Sequence, residues 1–459
     1  MTGMLANRWT PLAAVCLGTF MLLIDVTIVN VALPDMSRDL HASFAGLQWV
    51  IDGYALALAA LLLGVGSLAD RRGRRLTYVA GLVVFTLASL ACGLAPSEAV
   101  LIAARVVQGV GAAAMFATNI ALLNTAYQGR DRGTAFGVWG AVAGAAAAIG
   151  PLVGGVLTQG LSWRWIFFVN IPIGALTIVL TVRALHESRQ PHEGRADLAG
   201  ALAFTLAAAA ATTAFIRVND VGWGSAQTLL TLALALAAVL VFVAIERRVD
   251  EPLLDLSLLR RGPFTAVLIG GGLLSIAAFA ALTYASLWLQ GDLRLSPIQA
   301  GLVLLPLSSA SFLVSILAGR FLHGSAARHA IGGGLVLIGV GDLLQLGLGH
   351  GSSWSALLAG FAVTGVGVGL ATPTLVSAGL AAVPPQRAGM AAGAINTTRQ
   401  LGFALGIALL GSIYAGRLPA HGAAGALGAS FLAAGITGIV AGVLVFLLMR
   451  QRTRAAAPA

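Results

Sequence analysis

Apolar residues occur along this chain in runs of roughly 18 to 25 residues, the length that an α-helix needs to cross a lipid bilayer. Short joints with the Pro and Ser residues typical of turns separate several runs, as at residues 95–97. The pattern therefore predicts an all-α integral membrane protein with fourteen transmembrane helices. The predicted spans cover residues 11–34, 46–69, 77–95, 99–123, 134–158, 165–183, 198–217, 226–245, 263–290, 298–319, 329–349, 354–382, 388–415 and 429–449.

Two longer polar linkers, at residues 184–197 and 246–262, divide the spans into groups of six, two and six. We predict an N-terminal six-helix bundle over residues 1–183, two extra central transmembrane helices within 184–262, and a C-terminal six-helix bundle over 263–459. Two groups of six are typical of transporters built from repeated halves. The alternative is a chain of fourteen spans without internal symmetry.

The composition agrees with a membrane protein. Hydrophobic residues make up 58% of the chain and charged residues 10%, with a mean hydropathy of +0.92, whereas soluble domains carry about 25% charged residues. The net charge of +10 comes from arginines between the spans, which argues against a nucleic-acid partner. The chain contains no lysine, and because a P-loop requires one, ATP hydrolysis through that motif is excluded.

The positions of the arginines predict the orientation of the chain. Of the 27 arginines, twenty fall in segments assigned to the cytoplasm, five fall outside the cell, and two lie inside spans. An excess of positive charge in short loops marks the cytoplasmic side. Because the number of spans is even, both termini are expected in the cytoplasm, in a multi-pass protein of the cell (plasma) membrane.

Side chains that bind metals or perform catalysis are not grouped in this sequence. Cys16 and Cys92 lie inside apolar runs, where we interpret them as core residues. The seven histidines lack metal-ligand spacing, and no Ser/His, Asp/Asp or His/Glu set lies at catalytic spacing in a span. We therefore expect no metal, no cofactor and no enzymatic activity.

Five charged residues fall within six positions of the segment at 66–76, which reads GSLADRRGRRL. Such a cluster cannot lie in hydrocarbon, so we predict a short, tight cytoplasmic loop between two spans. Asp70 would lie at the cytoplasmic, C-terminal end of the second span, where the helix dipole disfavours an acid. We predict an ion-pair latch that forms and breaks between states; the alternative is a topology anchor that needs only the arginines. The expected latch residues are Gly66, Asp70, Arg71, Gly73 and Arg74.

Asp25 is the first candidate for proton coupling, because a carboxylate inside a span costs at least about 2.5 kcal/mol and persists only beside a cavity or a partner. At a rise of 1.5 Å per residue, Asp25 lies about 13 Å below the outer membrane surface, and Arg105 lies about 10 Å below the same surface. The two can therefore pair, and moving them apart would change the proton affinity of the carboxylate. A static bridge between helices is the alternative. Asp342 is a second candidate for binding a proton or a cation, with a paired structural role as its alternative.

Other polar residues inside or near the spans are candidates for the substrate cavity. Asp52 lies near the outer end of its span, where an interfacial position among aromatic residues is the alternative. The expected cavity residues are Asn30, Asp52, Tyr54, Gln108, Asn396 and Arg399.

Glycines and a proline in the fifth span predict a close helix contact. Glycines four residues apart allow two helices to approach closely, and a proline permits a bend because it removes a backbone hydrogen bond. The residues are Gly150, Pro151, Gly154 and Gly155. We predict a smooth, bendable helix against which a partner slides; ordinary tight packing is the alternative.

The segment GSLADRRGRRL resembles the loop between spans 2 and 3 of the major facilitator superfamily. Other segments resemble motifs of its fourteen-span drug:proton antiporter subfamily. They are LIDVTIVNVALP (Leu23–Pro34), RVVQGVGAA (Arg105–Ala113), GPLVGG (Gly150–Gly155), WRWIFFVNIPIG (Trp163–Gly174) and NTTRQLGFALG (Asn396–Gly406).

The resemblance implies two six-helix bundles that face each other across a central cavity, with the extra pair of helices outside it. It also implies proton-coupled export of amphiphilic drugs or an antibiotic by alternating access, with the proton as coupling ion. The expected partners are a small amphiphilic molecule, protons and the lipid bilayer, and the protein is expected to act as a monomer. An importer or uniporter of the same fold is one alternative, and an intramembrane enzyme or lipid-handling protein is another.

Overall fold

The computed structural model describes residues 8–189, 197–249, 252–321, 327–349, 351–384 and 387–449, and every regular element within these ranges is helical. The α-helices are α1 (Thr10–Leu40), α2 (Phe44–Arg72), α3 (Arg74–Gly93), α4 (Glu98–Ala126), α5 (Gly129–Gly160), α6 (Trp165–Phe168), α7 (Asn170–Ala184), α8 (Leu198–Val221), α9 (Ala226–Glu246), α10 (Gly262–Ser275), α11 (Ala281–Gly291), α12 (Pro297–Phe321), α13 (Ala327–Leu343), α14 (Leu358–Ala381) and α15 (Ala388–Leu448). Short 3-10 turns at Leu256–Arg260 and Trp354–Leu357 and a π-helical turn at Ile276–Ala280 complete the described elements. The predicted all-helical fold is confirmed.

Eleven helical segments in the described part of the chain are long and apolar enough to cross a membrane. Apolar side chains also point outwards from the molecule. Leu198 and Leu202 on α8 and Leu230 on α9 are each 70% exposed. A surface of this kind suits a lipid environment, and the chain is a multi-pass membrane protein.

Helix α15 contains 61 residues. At 1.5 Å per residue it would measure about 90 Å, roughly three times the hydrocarbon thickness of a bilayer. Gly422 interrupts it with φ 65° and ψ 178°, values outside the helical region. The interruption falls between the two spans that the sequence predicts in this region, at 388–415 and 429–449.

The described residues form two compact units. The first contains residues up to 211 together with 230–253 and 294–302. In it, α1 packs against α5 and α7, while α4 packs against both α2 and α3. Met21, Tyr78 and Phe85 belong to its buried apolar core.

The second unit contains residues 212–229, 254–293 and those from 303 onwards. In it, α10 packs against α15, and α13 packs against α14 and α15. Glycines make these contacts close: a Cβ at Gly339 would lie 2.5 Å from the carbonyl oxygen of Gly435, and one at Gly334 would lie 2.7 Å from that of Gly367. The unit boundaries pass through α8, α9 and α12, so the domain limits expected from the sequence stay a prediction.

The connection between α2 and α3 is shorter than the sequence suggests. Helix α2 continues through Arg72 and α3 begins at Arg74, so Gly73 alone separates them. The predicted loop at 66–76 is therefore wrong, and its charged residues occupy the ends of two helices. The chain turns within one residue because Gly73 adopts φ 124°, a value that only glycine adopts without strain.

Candidate functional site

Asp25 and Arg105 form an ion pair inside the first unit. The Arg105 Nη1 donates to the Asp25 Oδ2 over 2.5 Å, and the two side chains are 0% and 1% exposed. A third helix contributes as well, because the Arg105 Nε donates to the backbone carbonyl of Val50 on α2 over 3.0 Å. The pair thus joins α1 to α4, with α2 providing an additional acceptor for the buried guanidinium.

Gln108 connects this pair to α3. It lies three residues after Arg105, on the same face of α4. Its Nε2 donates to the Asp25 Oδ1 and to the Ser89 Oγ, both over 2.9 Å, and its Oε1 accepts from the Arg105 Nη1 over 2.6 Å. The sequence predicted Gln108 as a cavity residue, and the structure places it in direct contact with the candidate proton carrier.

Aromatic rings cover the guanidinium of Arg105. Its Cζ lies 4.3 Å from the ring centroid of Tyr54 and 5.8 Å from that of Phe167. Ring faces attract cations, and they do so more strongly where water is absent. Tyr54, another expected cavity residue, therefore belongs to the environment of the Asp25–Arg105 pair.

Three residues of this cluster were missed in the sequence. Ser89 on α3 accepts the bond from Gln108, Asn170 on α7 reaches both Asp25 and Ser89, and the Cys92 Sγ lies 3.8 Å from the Gln108 Oε1. Asn170 lies within the segment WRWIFFVNIPIG, and it is a buried amide in an apolar span. A polar amide inside an apolar span was the signal by which Asn170 could have been identified from the sequence.

Two other expected cavity residues of this unit are also buried. Asp52 on α2 is 0% exposed, and neither of its carboxylate oxygens has a hydrogen-bond partner. Asn30 on α1 is buried as well. The full burial of Asp52 argues against the interfacial alternative.

The second unit holds the remaining polar candidates. The Asp342 Oδ1 accepts from the Thr364 Oγ1 over 3.4 Å, while its Oδ2 is buried without a partner. Arg399 lies along α10, since a Cβ at Gly271 would be 3.2 Å from its Cγ, and its Nε has no hydrogen-bond partner. Asn396 is half-buried on the same helix as Arg399.

A distant acid occupies the junction of α2 and α3. The Glu187 carboxylate accepts from the backbone N–H groups of Arg75 and Leu76, both over 3.0 Å. A Cβ at Gly73 would lie 2.6 Å from this carboxylate. Glu187 therefore caps the start of α3 and restricts the junction to glycine for a second reason besides φ.

The structure places the expected latch residues around this junction. Arg71 and Arg74 lie on either side of Gly73 and are partly buried, and Gly66 faces α4 at an ordinary contact distance from Ala117. The side chain of Asp70 lies outside the described part of the structure. The latch stays a prediction.

The glycines of α5 face two different helices. A Cβ at Gly154 would be 2.8 Å from the carbonyl oxygen of Ile28 on α1, and Gly150 approaches Thr27 of the same helix. A Cβ at Gly155 would be 2.6 Å from the carbonyl oxygen of Pro297, in a part of α12 that belongs to the same unit. Pro151 lies inside α5, which continues beyond it.

The family profile described as Major Facilitator Superfamily matches residues 15–407 and, in a second match, residues 267–459. The chain belongs to the major facilitator superfamily. The resemblance inferred from the motifs is thereby confirmed at the level of the superfamily, and the fourteen-span subfamily stays a prediction.

Several members of the superfamily that resemble this chain carry names of resistance proteins. Multidrug resistance protein Stp of Mycobacterium tuberculosis is 39% identical over 410 residues, which cover 89% of this chain and 76% of the relative. The puromycin resistance protein pur8 of Streptomyces alboniger is 37% identical, covering 90% and 83%. The methylenomycin A resistance protein of Bacillus subtilis is 34% identical, covering 97% and 95%.

A solved structure shares the fold. The human organic anion transporter MFSD10 (TETRAN) superposes with a TM-score of 0.67 over 96% of this chain and 99% of that protein, at 16% sequence identity. At this identity the likeness supports the superfamily fold alone. The superfamily match and the names of the relatives identify this chain as a transporter, which is consistent with the expectation that it is not an enzyme.

Proposed function

We propose that this chain exports amphiphilic drugs or an antibiotic from the cell in exchange for protons, by alternating access. The observation that carries the proposal is the buried cluster of Asp25, Arg105 and Gln108. An acid persists inside a span only with a partner or a function, and a carboxylate paired with a cation changes its proton affinity when the pair separates. The names of the relatives support drugs and antibiotics as the substrate class.

Proton binding to Asp25 would remove the charge that holds Arg105. The guanidinium would keep the Val50 carbonyl and the Gln108 Oε1 as acceptors, so it would stay on the α2–α4 side while α1 is released. Proton release would restore the pair. The coupling step we propose is therefore a change in the contact of α1 with α4, which follows the protonation state of one carboxylate.

The remaining polar candidates complete the proposal. Asn30, Asp52, Asn396 and Arg399 are the proposed substrate contacts, and Asp342 is a proposed second proton site. Gly150 and Gly154 of α5 are proposed to let α1 and α5 move against each other, because both present bare backbone to α1.

We also propose fourteen spans, with both termini in the cytoplasm of a monomeric cell-membrane protein. Helices α5 and α13 would add two spans to the eleven segments that meet the length and hydropathy criteria, and α15 is long enough for two. The start of the second family match at residue 267, near the beginning of α10, supports two related halves. The arginine distribution supports the orientation.

Dye uptake by everted membrane vesicles tests the proposed export. We expect vesicles containing this chain to accumulate a fluorescent dye when their interior is made acidic. Asp25→Asn should abolish uptake, because asparagine keeps the shape of aspartate and cannot titrate. Asp35→Asn is the matched control, since Asp35 lies on the same helix and pairs with Arg38 at its exposed end.

Three results would contradict the proposal. Uptake by Asp25→Asn at the normal rate would move the proton site elsewhere, with Asp342 as the next candidate. Uptake without a pH gradient would indicate a uniporter. Accumulation only in vesicles of the native orientation would indicate an importer.

A further inference from the structure

Asn170 has an amide with one end at the Asp25 cluster and the other end without a partner. Its Nδ2 lies 3.4 Å from the Asp25 Oδ1 and 3.4 Å from the Ser89 Oγ. Its Oδ1 is buried and has no hydrogen-bond partner. The side chain is 1% exposed, so the unpaired carbonyl group of this amide is a real energetic cost that needs an explanation.

The groups hydrogen-bonded to Asp25 all present donors. Arg105 offers a guanidinium N–H, and Gln108 and Asn170 offer amide N–H groups. The Oε1 of Gln108 is already occupied by Arg105. This arrangement suits a carboxylate, which only accepts hydrogen bonds.

A protonated Asp25 has different requirements. Its new O–H is a donor, and a buried donor without an acceptor is unfavourable. A half-turn rotation about the Cβ–Cγ bond of Asn170 exchanges Oδ1 and Nδ2, which places the carbonyl oxygen towards Asp25. The two orientations therefore differ in what they offer to Asp25: an N–H donor in one and a carbonyl acceptor in the other.

We propose that Asn170 is the positioning residue that accepts a hydrogen bond from Asp25 when Asp25 is protonated, and that its amide turns over and back in each proton cycle. This inference rests on the proposed function, which assigns the transported proton to Asp25. The proton moves between water and the carboxylate, and Asn170 remains neutral throughout. The titratable or charged groups facing Asp25 from the other described helices are Arg105 on α4, Tyr54 on α2 and Cys92 on α3.

Asn170 lies where its span is interrupted. Val169 separates α6 from α7, and Asn170 is the first residue of α7. Pro172 has no N–H to donate to the Phe168 carbonyl, which explains the interruption at this point. The amide is thus attached to a helix start that also packs against α1, the helix that carries Asp25.

Infrared spectroscopy of the full-length protein tests the proposal. The carboxylic-acid C=O band that disappears in Asp25→Asn reports protonation of Asp25, and its amplitude is followed as pH is varied. Asn170→Leu keeps the approximate size and removes two contacts of unequal strength: the acceptor proposed for the protonated acid, and the long 3.4 Å donor contact to the carboxylate. The shorter donor contacts from Arg105 and Gln108 stay, so the loss of the acceptor dominates. We expect the protonation midpoint to fall by about 1 pH unit, a tenfold loss of proton affinity, because one net hydrogen bond has an effect of this order.

Thr177→Val is the matched control on the same helix. The Thr177 hydroxyl is buried and donates to the Ile173 carbonyl of its own helix, over 2.7 Å. Its removal should leave the Asp25 midpoint unchanged. A midpoint in Asn170→Leu equal to that of Thr177→Val would overturn the role of Asn170.

A measurement on the unsubstituted protein keeps the test independent of how the variants fold. With the asparagine side-chain amides isotope-labelled, one amide C=O band should shift with the same midpoint as the Asp25 band, and it should stay still in Asp25→Asn. Amide bands that do not respond to pH would overturn the proposal. The absence of any titrating Asp25 band would instead overturn the assignment of the proton to Asp25, and with it the basis for both proposals.

Discussion

Gly154 on α5 offers the sharpest test of how the fold limits side-chain size. An added Cβ would lie 2.8 Å from the carbonyl oxygen of Ile28 and 2.9 Å from its Cγ1. Non-bonded heavy atoms prefer separations of roughly 3.5 Å, so alanine would push α1 and α5 apart by roughly 0.7 Å. The carbonyl cannot move alone, because it belongs to the backbone of a helix.

The magnitude follows from two opposing effects. Overpacking a close contact costs about 1–3 kcal/mol, whereas replacing glycine by alanine inside a helix contributes about 1 kcal/mol of stability. Gly140 on the same helix is the matched control, since in the described part of the structure a Cβ there would have no neighbour within 4 Å beyond the local helix backbone. We expect Gly140→Ala to be neutral or stabilising, and Gly154→Ala to be less stable than this control by about 1–3 kcal/mol.

Thermal unfolding in detergent and dye efflux from cells measure the two consequences. Gly154→Ala should unfold at a lower temperature than Gly140→Ala and should export more slowly. Gly154→Leu should be expressed at near-normal levels, because the rest of the bundle is large, yet it should lose efflux. Equal unfolding temperatures and equal efflux for the two alanine variants would refute the close contact. Full drug resistance with Gly154→Leu would refute the prediction that a neighbouring helix slides against the GPLVGG segment of α5.

Further predictions concern the α2–α3 junction and the proline of α5. Gly73→Val should abolish efflux, because φ 124° strains a β-branched residue and its Cβ would meet the Glu187 carboxylate at 2.6 Å; normal efflux would mean that the junction tolerates rearrangement. Glu187→Ala should lower the free energy of unfolding by about 1 kcal/mol through loss of a helix cap, while Glu187→Gln should retain part of it; identical denaturation curves would contradict the cap. Pro151→Ala should reduce efflux no more than Gly154→Leu does, since a stiffer helix still fits against α1, and a larger defect in the same assay would contradict this order.

The Asp25–Arg105 contact could be predicted by counting residues along each helix. Both residues are rare charges within apolar runs, and the fixed rise of a helix converts their positions into matching depths. The structure brings them to hydrogen-bond distance. The depth of a residue in the membrane depends on its position along its own helix, so it follows from residue numbers alone.

The other members of the cluster depend on lateral packing. Ser89 bonds Gln108 from the neighbouring helix α3, and Asn170 bonds Asp25 from α7, 145 residues further along the chain. The apolar residues around Ser89 and Asn170 do not indicate which helix face points inwards. The same holds for Glu187, which caps a helix that begins more than a hundred residues earlier. Gly73 was identified in the sequence only as an expected latch residue, while its φ of 124° and its contact with this distant acid came from the structure.

The sequence by itself determined that the chain is helical, that it crosses a membrane, and where most of its helices begin and end. Hydrocarbon imposes these properties locally, because each spanning segment must satisfy its own backbone hydrogen bonds over a fixed thickness. Only the tertiary structure decided which helix faces meet, because small side chains let almost any pair of apolar helices approach. The surroundings of Asp25 are therefore a property of packing: α4 and α7 donate hydrogen bonds to the carboxylate on α1, while α2 and α3 bind Arg105 and Gln108.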